Sequence, residues 1–77
     1  MTNSRASATV IVRNGNYIVT QRYGRRKSVF EVTPGGVISD KSGEPVLSSD
    51  VVVVKSAFIL NGLSEMAGRV QRWWDGR

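Results

Sequence analysis

The chain has 77 residues and neither cysteine nor histidine, which removes disulfides, thiolate nucleophiles, the commonest zinc ligand and the usual general base. Eleven Lys+Arg against six Asp+Glu give a formal charge of +5, compatible with nucleic acid, an anionic membrane or an acidic protein surface as partner. Eight of the eleven cations are Arg, the side chain suited to planar recognition of phosphate and carboxylate.

One domain is expected, with residues 1–6 as a disordered N-terminus and 7–77 as a single unit. Residues 7–13 alternate, with Ala8, Val10 and Val12 on one face and Thr9 and Ile11 on the other. Asn14-Gly15 supplies the two positive-φ residues of a type I′ turn. Alternation resumes over 17–23. If Asn14-Gly15 is the loop, Arg13 pairs with Asn16, Val12 with Tyr17 and Val10 with Val19, and one hairpin face becomes continuously apolar.

Gly24-Arg25-Arg26-Lys27 reads as a loop, and 28–33 as a third strand with Phe30 and Val32 on one face. Thr33-Pro34-Gly35-Gly36 reads as a type II turn with Gly35 at the positive-φ position. Val37-Ile38 can add a short fourth strand, and 41–45 forms a loop. Ser48-Ser49-Asp50 resembles a helix N-cap cluster.

From Val52 onward a stripe collects Val52, Ile59, Leu63, Met66, Val70 and Trp73 at helical spacing. The expected element is one helix over about 50–75, kinked at Gly62. Its rival is a strand over 50–60 followed by a shorter helix, because 51–54 is a β-branched run. The fold class is therefore α+β: an antiparallel β-meander of three to four strands, then one C-terminal helix packed on the sheet. The expected core is Val10, Val12, Val19, Phe30, Ile59, Leu63, Met66 and Val70. An apolar surface around 51–58, on a chain with no covalent staple, predicts a homo-oligomer, most simply a homodimer.

No catalytic constellation is legible. No G-x-S-x-G elbow occurs, and Pro34-Gly35-Gly36 lacks the spacing of a phosphate loop. The carboxylates Glu31, Asp40, Glu44, Asp50, Glu65 and Asp75 are scattered, and none forms a helical i,i+4 carboxylate pair of the kind that gathers a metal. Ala8-Thr9-Val10-Ile11-Val12, Gln21-Arg22 and Pro34-Gly35-Gly36 superficially resemble the opening of a Nudix hydrolase. That family follows its glycines with a helix whose glutamates hold magnesium. Here Val37-Ile38-Ser39-Asp40-Lys41-Ser42 follows Gly36, and no Glu-Glu pair exists anywhere. The hydrolase activity and its metal are not carried over, and the expectation is a non-enzymatic protein without cofactor or metal.

Two cationic segments carry the binding signal. The first is Arg22, Tyr23, Arg25, Arg26 and Lys27, where cations can track phosphates and an aromatic can stack on a base. The second is Arg69, Arg72 and Trp74 in a segment that ends Trp73-Trp74-Asp75-Gly76-Arg77; Trp and Arg are the usual interface hot-spot residues. The leading expectation is a small basic module binding nucleic acid or a ribonucleoprotein through an Arg-rich hairpin loop. The alternative is a regulatory or inhibitory protein, of the kind phages and mobile elements encode, that docks on a larger protein assembly. No apolar run approaches the roughly 20 residues that span a membrane, and Met1-Thr2-Asn3-Ser4-Arg5 is followed by no apolar leader core. A cytoplasmic protein with no membrane partner is expected.

Overall fold

A computed structural model describes residues 6–40 and 43–77. Three antiparallel strands, β1 (Ala6–Arg13), β2 (Asn16–Tyr23) and β3 (Arg26–Val32), form a sheet in the order β1-β2-β3. Two helices follow, α1 (Ser48–Leu60) and α2 (Ser64–Asp75). The fold is α+β, with a helical hairpin where a single helix was expected. Residues 1–5 of the expected disordered N-terminus lie outside the described residues, and Ala6 already belongs to β1.

Both strand connections are two-residue turns of the primed kind, whose twist matches that of the strands. Asn14 and Gly15 have φ of 53° and 80°, and Arg13 pairs with Asn16, Val12 with Tyr17 and Val10 with Val19, as the alternation requires. Gly24 has φ of 61° and Arg25 does not share the sign, the pattern of a type II′ turn. The expected four-residue loop is thereby reduced to Gly24-Arg25, and Arg26 and Lys27 join β3.

The Pro34-Gly35-Gly36 segment is not a type II turn. Gly36, not Gly35, takes positive φ, at 94°. Gly36 N–H donates to Thr33 C=O at 2.9 Å and Thr33 N–H donates to Val37 C=O at 2.9 Å. This is a three-residue hairpin loop, a type I turn followed by a left-handed bulge glycine. Ile38 then bridges to Val32, and Ser39 N–H donates to Glu31 C=O. The expected fourth strand amounts to this single bridge.

α1 starts one residue earlier than the serine cluster suggested. Leu47 is the N-cap, with Ser48 and Ser49 inside the first turn. Asp50 accepts a hydrogen bond from Leu47 N–H at 3.0 Å, satisfying one of the donors a helix start leaves unpaired. α1 ends at Asn61-Gly62. Gly62 has φ of 76°; its N–H donates to Ile59 C=O, and Leu63 N–H donates to Phe58 C=O at 2.7 Å. These two bonds define a Schellman motif, so Gly62 is a stop signal and not a tolerated mid-helix glycine. The Asn61 side chain donates to Ala57 C=O at 2.8 Å and to Ala8 C=O at 3.2 Å, tying the end of α1 to β1.

The core comprises Val19, Val32, Ile38, Val46, Val51, Val54, Ala57, Phe58, Met66, Ala67 and Val70. Tyr17 meets Phe58 edge-on with centroids 5.5 Å apart. Of the expected core, Val19, Met66 and Val70 are buried, and Val10, Phe30 and Leu63 pack at its margin. Val12 and Ile59 are instead 67% and 56% exposed. Ile59 fails because the helical phase restarts across Asn61-Gly62-Leu63, so a stripe extrapolated through the break faces the wrong way. Val12 fails because it lies on an edge strand near the turn. The apolar surface expected around 51–58 is likewise turned inward at Val51, Val54, Ala57 and Phe58.

Candidate nucleic-acid interface

The sheet alternation fixes the first cationic group. Tyr23 and Arg26 are cross-strand partners, as are Arg22 and Lys27. Because side chains alternate across a strand, Tyr23 and Arg26 share the face that further along carries Val19, Phe30 and Val32, while Arg22 and Lys27 share the opposite face. Arg25 sits in the turn. All of 22–27 are exposed, so the helical layer stops short of this end of the sheet. Four cations and one aromatic ring are thus held on a regular hairpin end with charge on both faces. The sequence located these residues; the two-faced arrangement follows from their pairing within the ladder.

The cations of this end make no ion pair among the described residues. Arg22 directly opposes Lys27, and like charges opposite each other on a sheet are unfavourable by up to about 1 kcal/mol. Among the described residues the one ion pair joins Arg69 to Glu65 at 3.7 Å, and none involves Arg22, Arg25, Arg26 or Lys27. Lys27 does line a shallow groove of about 230 Å³ beside β3 that also carries Glu44 and Asp50, so its field is partly offset.

The second group has a different character. The Arg69 guanidinium donates to Pro34 C=O at 2.9 Å and pairs with Glu65 one turn earlier in α2. It fastens α2 to the Pro34-Gly35-Gly36 loop. Trp73 and Trp74 are half-buried against the core, their centroids 6.0 Å apart. Arg77 stacks over both rings, 4.5 Å from the Trp74 centroid and 5.3 Å from that of Trp73. The ring faces that a partner would use are therefore partly occupied from within the chain. Gln71 accepts from Lys55 of α1 and donates to Asp75 at 2.7 Å, a polar tie between the helices. Arg72 is exposed. No hydrogen bond, ion pair or ring contact joins this group to the hairpin end among the described residues.

Among the described residues no cluster of His, Cys, Asp and Glu could hold a metal ion. No helix among the described residues is long and apolar enough to cross a membrane. Comparison with protein-family models, with curated proteins and with solved structures finds no match to this chain.

Proposed function

We propose that this protein is a small nucleic-acid-binding module whose contact surface is the β2–β3 hairpin end. The observation that carries the reading is the exposed set Arg22, Tyr23, Arg25, Arg26 and Lys27, held on two faces of one hairpin with no ion pair to any of the four cations among the described residues. A protein that keeps Arg22 against Lys27 bears a small stability cost, which an anionic ligand on that surface offsets. Phosphates supply the charge and geometry that Arg prefers.

Tyr23 refines the ligand. It is 58% exposed and lies across from Arg26, so an aromatic face and a guanidinium stand side by side. That pair suits an unstacked base next to its phosphate, which favours single-stranded over duplex nucleic acid. Arg69 and Trp74 have structural partners and are assigned no direct contact.

The test is the salt dependence of binding to a labelled oligonucleotide. Four phosphate contacts give a log–log slope of about −2.8 for a single strand, and three give about −2.1 if Glu44 and Asp50 hold the charge of Lys27. R25A/R26A should lower the magnitude of the slope by about 1.4 with the melting temperature unchanged. Tyr23→Ala should weaken single-stranded binding more than duplex binding. Absence of affinity for any oligonucleotide at low salt would overturn the reading and leave docking on an acidic protein as the use of this surface.

A further inference from the structure

The edge of the sheet opposite β3 is formed by β1, an eight-residue strand with a neighbour on one side only. We infer that β1 is a self-association edge, and that two copies of this chain pair β1 to β1 antiparallel across a two-fold axis at Ile11, giving a continuous six-stranded sheet.

The backbone parity of the hairpin sets the available groups. In a hairpin closed by a two-residue turn, the residues flanking the turn form a hydrogen-bonded pair, and hydrogen-bonded pairs then alternate along the ladder. Arg13↔Asn16 flanks the turn, so Ile11↔Ile18 and Thr9↔Thr20 are also bonded pairs. The N–H and C=O groups of Ala8, Val10 and Val12 consequently point away from β2. Ala8 C=O accepts from the Asn61 side chain at 3.2 Å. Val10 and Val12 receive no backbone bond outside the sheet among the described residues.

Sequence and charge select a second copy as the occupant. Residues 7–12 contain no charge, Pro or Gly, and the β1–β2 register runs without a bulge from Ala6 to Arg13. Charge, proline and a bulge, which usually protect an edge strand, are thus missing over this stretch, and the Asn61 side chain covers it only at Ala8. Two copies, each formally +5, can approach closely only where charge is low, and this edge is such a place. Centring the pairing on Ile11 sets Val10 against Val12 of the other copy twice over, with four backbone hydrogen bonds. The same register brings Ile11, 49% exposed, against its own symmetry mate and covers Val12, 67% exposed. The two Arg13 residues then lie about 13 Å apart along the ladder, beyond the roughly 8 Å Debye length at physiological salt. A register centred on Val10 would instead need the Ala8 carbonyl that Asn61 already occupies. The Ile11-centred ladder ends just short of Ala8.

Pairing through β1 is independent of nucleic-acid binding, because the basic hairpin end uses β3 and the far end of β2. The chain lacks cysteine, which permits a register-specific test. In the proposed ladder Ile11 faces Ile11 as a non-hydrogen-bonded pair, with Cα atoms about 4.5 Å apart, within the range that a disulfide bridges. I11C should therefore form a disulfide-linked dimer under mild oxidation, whereas Thr9→Cys, some 13 Å from its mate, should not. Sedimentation equilibrium of the wild-type chain should show a monomer–dimer equilibrium below about 1 mM, weakened at least tenfold by I11K. Circular dichroism should show I11K and I11C to be folded, since the Ile11 side chain is half in solvent. A wild-type chain that stays monomeric throughout, or equal cross-linking of I11C and T9C, overturns the proposal. If I11K proves unfolded, the two cysteine variants alone decide.

Discussion

Gly36→Ala tests the joint between the sheet and α2. A Cβ placed on Gly36 would lie 2.6 Å from the Arg69 carbonyl carbon, 2.7 Å from its oxygen and 2.8 Å from the Val70 nitrogen. These are helix backbone atoms and cannot rotate aside. Either α2 moves away from the Pro34-Gly35-Gly36 loop, weakening the Arg69 bond to Pro34, or the loop abandons its left-handed glycine. Holding Ala at φ of +94° costs about 1–2 kcal/mol, and overpacking adds about 1–3 kcal/mol. The sum is roughly 2–5 kcal/mol, set against about 4–12 kcal/mol for the stability of a domain of this size. The melting temperature should fall by at least about 10 °C. Gly15→Ala is the internal control: Gly15 also has positive φ, at 80°, but nothing lies within 4 Å of its Cβ position, so only the conformational cost applies. Urea unfolding followed by Trp73 and Trp74 fluorescence would report both variants. If Gly36→Ala is no more destabilising than Gly15→Ala, α2 does not rest on this loop, and the docking described for Arg69 and Gly36 is wrong.

Phe58 is fully buried and Ile59 is 56% exposed, so Phe58→Ala should cost about 3–5 kcal/mol and Ile59→Ala less than about 1 kcal/mol; thermal denaturation of the pair reads out the phase of α1. Arg69→Ala should lower stability by about 0.5–1.5 kcal/mol through loss of its bond to Pro34 while leaving oligonucleotide affinity nearly unchanged, and Arg72→Ala should leave stability unaffected. Asn61→Ala should destabilise by about 1–2 kcal/mol, because one side chain serves both Ala57 and Ala8; chemical denaturation measures it.

The β-meander is legible in the residues alone because its determinants are local. Asn14-Gly15 demands a primed turn, and once that turn is placed the period-2 alternation leaves one register for β1 and β2. The basic cluster is legible as composition for the same reason: charge is read residue by residue. The helical half depends on the tertiary structure. In α1 the residues Val51, Val52, Val53, Val54, Ala57, Phe58, Ile59 and Leu60 leave hardly any polar face, so periodicity does not tell which side packs on the sheet, and only contact with Tyr17 and β1 selects Phe58 over Ile59. Asn61-Gly62 is visible in the sequence, but whether glycine kinks a helix or ends it depends on whether the chain beyond can fold back and bury Met66, Ala67 and Val70, a choice made by packing. Likewise, Arg69 and Trp74 carry the same chemical signature as Arg25 and Tyr23. What separates Arg69 is the loop carbonyl of Pro34, a partner 35 residues away that only the fold brings to it, whereas Arg77 reaches Trp74 as a local i,i+3 neighbour whose stacking depends on how the C-terminal end of α2 lies.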